Sequence, residues 1–301
     1  MRILDQLIVH SLPLVPKAIV EKLSKPYIAG AELDAAIKCT RKLNQKGYRV
    51  SIDVLGEFVE SIEQVTESVN AYLTLLEAIT AEQLDAGISI KPTSFGLLLD
   101  ETHCLNVLSK IMDKAQQQGT FLRIDMEDSP CTDKTIQLYQ TLREKYGKQV
   151  GVVLQAYMRR TLNDIQTITK GGPSNFRICK GIYVEPKEVA FKGYQEVRDN
   201  YVAALDSMFK AGAYVGIATH DDYLVEQAYK LIEKYGLNKD QYEFQMLLGV
   251  RERLRDSIRA KGHNVRIYVP FGKDWYGYSI RRLKENPALA GMFFKAMFIK
   301  R

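Results

Sequence analysis

Apolar positions along the chain fall into two alternating kinds of segment. Short apolar runs recur at Tyr48–Asp53, Gly87–Lys91, Phe121–Asp125, Val150–Ala156, Phe176–Lys180, Tyr214–Thr219, Tyr242–Leu247 and Val265–Val269. Their length and their β-branched and aromatic content predict strands. Longer stretches between them carry apolar residues at steps of three or four, as at Ile136, Tyr139, Leu142 and Tyr146, and predict amphipathic helices. The same step runs through Ala190, Tyr194, Val197, Tyr201, Leu205 and Met208, and through Val250, Leu254 and Ile258. It also runs through Leu224, Ala228, Leu231 and Tyr235, after which Gly236 supplies a helix stop.

This alternation predicts an α/β chain with a parallel sheet. Eight repeats predict closure into a (β/α)8 barrel of the TIM type, with a helical N-terminal extension and a C-terminal helix. A doubly wound open sheet is the alternative, weakened because no GxGxxG follows a predicted strand. A length of 301 residues suits one barrel of about 250 residues with short additions. The reading is one domain over 1–301: a helical cap on one barrel end at 1–47, the barrel at 48–286, and a tail at 287–301.

Composition narrows the function classes. The net charge is +6, but the 42 basic and 36 acidic residues are interspersed, which argues against a nucleic-acid footprint. Cys39, Cys104, Cys131 and Cys179 form no CxxC pair, and His10, His103, His220 and His263 are dispersed, so no metal site is expected. Scattered thiols suggest a reducing compartment, hence the cytoplasm. Neither a signal peptide nor a membrane span of roughly 18 apolar residues is expected.

Active sites of such barrels form at the C-terminal ends of the strands. Polar residues crowd there: Asp53, Lys91, Asp125, Gln155, Tyr157, Arg177, Lys180, Thr219, His220, Gln245 and Tyr268. A purely structural barrel has no need of so many. After the last strand a helix is expected from Trp275, with Tyr278, Arg281, Arg282 and Glu285 on one face. Two arginines on one face suit a carboxylate ligand; taken alone, the pattern favours a solvated basic pair beside Glu285. Lys91 or Lys180 could also serve as a Schiff-base lysine in an aldolase-type barrel. The tail brings Met292, Phe293, Phe294, Met297, Phe298 and Ile299 together with Lys295, Lys300 and Arg301. It reads either as a helix packed on the barrel or as a segment lying in a bilayer interface.

The segments GYRVSIDVLGE, SIKPTS, RIDMED, LQAYMRRT, FRICKGIYVEP, GIATHD and YEFQMLLGVR, followed by YxxRRxxEN, occur in this order over roughly residues 48–286. In this the chain resembles the proline dehydrogenase family, including the dehydrogenase domain of bifunctional proline-utilisation proteins. The short length is similar to that of the monofunctional bacterial branch. The resemblance implies an FAD-dependent oxidation of L-proline to 1-pyrroline-5-carboxylate. Hydride would pass from C5 to flavin N5, and electrons onward to a quinone at the membrane. That places the protein in the cytoplasm, with a peripheral position on the inner face of the cell membrane. No nucleic acid and no stable protein partner are implied. Arg281, Arg282 and Lys91 match residues that bind the proline carboxylate. Asp125 matches the carboxylate below the substrate, paired with Lys91. Tyr183, Leu247, Tyr268 and Tyr278 match the walls around the ring. Arg177 matches the arginine at flavin N5, and with Asp125 makes up the implied catalytic pair. Met126, Gln155, Lys180, Gly181, Ile182, Thr219, His220 and Glu285 match further cofactor contacts. Val184 stands where some relatives carry an aromatic residue.

Overall fold

The strands carry buried residues on both faces, so the sheet can only be enclosed. In 242–247, Tyr242, Phe244 and Met246 join the hydrophobic core while Glu243 and Gln245 are also buried. The computed structural model describes residues 17–285 apart from Pro173, with backbone only for Ala18, Ile19, Leu23 and 281–285. In chain order the elements are α1 (Lys17–Ser24), α2 (Leu33–Gln45), β1 (Arg49–Val54), α3 (Ile62–Ala81), β2 (Ala86–Ile90) and α4 (Glu101–Gln117). There follow β3 (Leu122–Ile124), α5 (Thr132–Tyr146), β4 (Val150–Gln155), α6 (Thr161–Thr169), β5 (Asn175–Cys179) and α7 (Tyr194–Lys210). The chain ends with β6 (Tyr214–Ala218), α8 (Asp222–Lys234), β7 (Tyr242–Leu247), α9 (Glu252–Ala260), β8 (Val265–Phe271) and α10 (Trp275–Glu285).

The strands pair in sequence order, all parallel, and β1 pairs with β8 to close the barrel. The eight expected strands are all present, displaced by at most two residues at an end. Outward residues such as Val50, Ile52, Ile88, Ile90, Phe176, Ile178 and Phe244 are fully buried under the helices. Helix starts follow local chemistry: Asp100 and Asp221 accept backbone N–H bonds from His103 and Tyr223, satisfying donors that have no partner within the helix. Gly236 ends α8 as expected, at φ 58°. Two helical expectations shorten. Ala190 lies ahead of α7, in an antiparallel bridge to Met158, and Val250 precedes α9. Both are apolar residues spaced correctly by chance; loop packing buries Ala190 fully and Val250 partly instead.

Of the helical extension expected at 1–47, residues 17–47 are described. α2 packs along β1 and β8, burying Ala36, Ile37, Thr40 and Leu43. Ahead of it, Ala29 N–H donates to Pro270 O and Gly272 N–H to Gly30 O, so α2 starts at the C-terminal end of β8 and runs down the outside. It thus takes the place in the outer ring that the helix after β8 would fill. That later helix, α10, packs instead against α1. Its Tyr278 is buried with Tyr27, Ile28 and Leu55, beside Tyr268 and Trp275, at the mouth of the barrel. The tail from 287 onward lies outside the described residues.

Candidate active site

The C-terminal mouth gathers two buried cation–carboxylate pairs. Lys91, which follows β2, donates from Nζ to Asp53 Oδ2 at 2.8 Å, with the lysine side chain 9% exposed and the aspartate fully buried. Arg177 Nη1 donates to Asp125 Oδ1 at 2.7 Å. Tyr268 joins the two pairs: its hydroxyl donates to Asp125 Oδ2 at 3.0 Å and lies 3.5 Å from Lys91 Nζ. The Arg177 guanidinium stands 5.4 Å from the centre of the Tyr268 ring. Burial alone would pull the Lys91 pKa down, but the carboxylates of Asp53 and Asp125 outweigh it and hold the ammonium charged. A lysine fixed in this way is a poor Schiff-base nucleophile, which needs the amine freed of its proton. Lys180 is likewise held, by Asp221.

The pairing differs from expectation. Asp125 is engaged by Arg177, and Lys91 by Asp53. β1 and β2 are neighbours and bring Asp53 beside Lys91, while Arg177 reaches Asp125 across the barrel interior. Asp53 had been legible as a strand-end polar residue but without a role. Arg177 does not end its strand. It sits in the middle of β5, pointing into the barrel, where Nη2 also donates to Ser89 Oγ at 3.0 Å and Nε to Gln245 Oε1.

The residues expected around a cofactor line the edges of β3 to β6. Met126 and Gln155 are buried, and Gln155 Nε2 donates to Glu127 O at 2.8 Å. Thr219 Oγ1 accepts from Asp221 N–H. His220 Nε2 accepts from Leu247 N–H at 2.9 Å, tying the β6 loop to the end of β7 and placing the ring proton on Nδ1. Lys180 and Arg198 both bond Asp221. Gly181 has φ 106°, and a Cβ there would stand 2.1 Å from the Tyr157 ring. Only glycine lets the loop lie against that ring. The loop then displays Ile182 and Val184 to solvent, and leaves Tyr183 half-buried. Leu247 is also half-buried, at the end of β7. The α10 backbone carries Arg281, Arg282 and Glu285 onward from Tyr278, but their side chains lie outside the described residues.

Glu127 went unnoticed in the sequence. It is fully buried, and its carboxylate accepts from both Thr93 N–H, at 3.0 Å, and Thr93 Oγ1. Burial raises its pKa from 4.5 to about 7. Its position in RIDMED, two residues past Asp125, was the available signal. Among the described residues no group of three or more His, Cys, Asp or Glu could hold a metal ion.

A family model described as proline dehydrogenase matches residues 36–293. The chain belongs to the proline dehydrogenase family. Members of this family are oxidoreductases acting on proline. The chain is 37% identical over 270 residues to proline dehydrogenase 2 of Bacillus subtilis, covering 90% of this chain and 88% of that protein. It is 36% identical over 279 residues to proline dehydrogenase of Deinococcus radiodurans, covering 91% and 90%. The fold matches proline utilization A of Bdellovibrio bacteriovorus inactivated by N-propargylglycine, with a TM-score of 0.84 at 22% identity. That match covers 91% of this chain but 34% of the other, so the chain spans about a third of that protein.

Proposed function

We propose that this chain oxidises L-proline to 1-pyrroline-5-carboxylate with FAD as cofactor. One observation carries the reading: in a barrel of this family, Lys91, Asp125, Arg177 and Tyr268 form one hydrogen-bonded cluster at the mouth. The donor set suits a flavin dinucleotide. Gln155 and Thr219 offer an amide and a hydroxyl, Lys180 a cation for phosphate, and Ile182 an exposed apolar surface for a flat ring. FAD, when bound, supplies at N5 the acceptor for the hydride leaving C5 of proline.

The protein's part is to orient the substrate. Lys91 gives one proton to Asp53 and lies near Tyr268, which leaves a third for the substrate carboxylate. Arg281 and Arg282, on the helix over the mouth, complete the carboxylate clamp. Leu247, Tyr183, Tyr268 and Tyr278 wall the ring, and fixing C5 in place lowers the barrier by proximity. The amine must be neutral for hydride to leave. Asp125 already accepts from Arg177 and Tyr268, one at each oxygen, so it is poorly placed as a base. The neutral amine is therefore taken up from solvent. A quinone receives the electrons, and the protein is cytoplasmic with peripheral contact to the inner membrane face. Among the described residues no helix is long and apolar enough to cross a membrane.

The purified protein should be yellow, and anaerobic L-proline should bleach it. A colourless protein, or a flavin that proline leaves oxidised, overturns the reading. Arg281→Met or Arg282→Met should raise KM for proline roughly tenfold, since a charge-assisted hydrogen bond is lost. Unchanged kinetics in both variants would exclude the clamp.

A further inference from the structure

Barrel interiors of this type are usually filled by layers of branched aliphatic side chains. Here the inward positions carry a hydrogen-bonded chain instead. Arg266 Nε donates to Glu243 Oε1, Gln245 Nε2 donates to the same oxygen at 2.7 Å, and Arg177 Nε donates to Gln245 Oε1. Arg177 then donates to Asp125. The chain runs from the N-terminal half of the barrel to the mouth, and all of its members except Arg266 and Asp125 are less than a tenth exposed.

We propose that Gln245 is a positioning residue for Arg177 and that Glu243 sets which way the Gln245 amide faces. The two ends of an amide are nearly the same shape, so sterics alone do not choose between them. A guanidinium can only donate, and an ionised carboxylate can only accept. Gln245 lies between one of each, and a single orientation satisfies both neighbours. Glu243 is ionised for this purpose: burial pushes its pKa up, but Arg266, the Gln245 amide and Arg49 pull it below its ordinary value. Gly216 makes the space. It sits on β6 opposite Glu243, and a Cβ there would stand 2.5 Å from Gln245 Nε2. Arg177 is consequently held from three strands, through Ser89 on β2, Gln245 on β7, and Asp125 just past β3. With the Gln245 bond removed, the guanidinium is free to rotate about the remaining two.

The proposal rests on the reading that Arg177 serves the proline site, and the experiment separates the two. Gln245→Met removes the acceptor and leaves the Glu243–Arg266 pair in place. Glu243→Met removes the oxygen to which Arg266 and the Gln245 amide both donate, and so releases the amide orientation. The exchanged pair, Glu243→Met with Gln245→Glu, gives Arg177 a carboxylate acceptor that needs no orienting. In the apoprotein, solvent exchange of the Arg177 Nε–H is read by NMR. In the holoprotein, the rate of anaerobic flavin bleaching by proline is read. Both single variants should speed the exchange and slow the bleaching roughly tenfold, with the exchanged pair returning both to within about threefold. Unchanged Nε–H exchange in Gln245→Met overturns the positioning role. An exchanged pair as impaired as the single variants overturns the role of Glu243. Arg177→Lys serves as the reference: a normal bleaching rate there refutes the reading of Arg177 itself, whatever the exchange data give.

Discussion

The two halves of the barrel interior are both polar and both buried, yet they handle charge differently. At the mouth, each cation meets a carboxylate: Lys91 with Asp53, and Arg177 with Asp125. In the N-terminal half, Arg123 is 2% exposed and bonds Val152 O, Asn175 O and Asn175 Oδ1, neutral acceptors all. Gly151 makes room for it, since a Cβ there would meet Arg123 Nη1 at 2.3 Å and Asn175 O at 2.7 Å. Arg123 is a strut held by two backbone carbonyls and one side-chain amide. Arg266, in the same half, is paired with Glu243, so neither buried polarity nor pairing alone marks the site. What sets the mouth apart is that its paired charges retain protons and lone pairs that a zwitterionic ligand can use.

The largest effect expected from breaking this contrast is at the mouth. Asp53→Asn leaves Lys91 buried without its nearest carboxylate, and loss of one partner from a buried pair costs about 3–5 kcal/mol. Urea unfolding should register the loss, and KM for proline should rise with it. A change under about 1 kcal/mol would mean that Asp125 alone compensates Lys91.

Next in size is a pH effect at Glu127. Its folded pKa of about 7 lies above the ordinary 4.5, so the native state holds the proton more tightly than the unfolded chain. The stability it contributes is full below pH 4.5 and is lost as pH rises through about 7, up to roughly 3 kcal/mol in all. Glu127→Gln should flatten the fall in unfolding free energy between pH 5 and about 7.5. Its amide oxygen can still accept from Thr93 N–H, and the Thr93 hydroxyl can turn to accept from the amide nitrogen. A slope identical to that of the unsubstituted protein would show that Glu127 is ionised in the fold at every pH tested.

Gly151→Ala tests the lower half. The added methyl meets a backbone oxygen that cannot yield, so stability should fall by about 1–3 kcal/mol. KM for proline should hold, because no mouth residue moves. A raised KM at normal stability would join the two halves functionally and erase the contrast.

How much of this was legible follows from strand phase. In YEFQML the alternation is plain, but a single strand does not tell which face is inside. Polar residues ordinarily face water, so nothing in Arg123, Glu243 or Arg266 taken singly marks it as interior. The missing signal was the same phase repeated in Arg123–Asp125, Asn175–Arg177, Glu243–Gln245 and Arg266–Tyr268, each interleaved with apolar residues that the helices cover. The eight units needed only periodicity, and Asp53, Lys91 and Asp125 only strand ends; Arg177, in the middle of β5, needed the inward phase as well. The Asp53–Lys91 pair needed the register of β1 on β2, and the site of α10 needed to know that α2 had already filled the gap beside β8.

The smallest expected effect concerns Tyr268, whose hydroxyl bridges the two mouth pairs. Tyr268→Phe keeps the ring, and with it the wall and the contact with the Arg177 guanidinium. It removes one donor from Asp125 and a weak acceptor, at 3.5 Å, from Lys91. Asp125 keeps Arg177, and its side chain is 14% exposed, so water can replace the lost hydroxyl at modest cost. The bleaching rate by proline should therefore drop by no more than about fivefold, and stability by about 1 kcal/mol. A fall of about a hundredfold would instead place the hydroxyl in the chemistry, since about 2.7 kcal/mol exceeds what one replaceable hydrogen bond contributes here. In that case the mouth would differ from the lower half by a proton-handling group, and not only by what its paired charges leave free for a ligand.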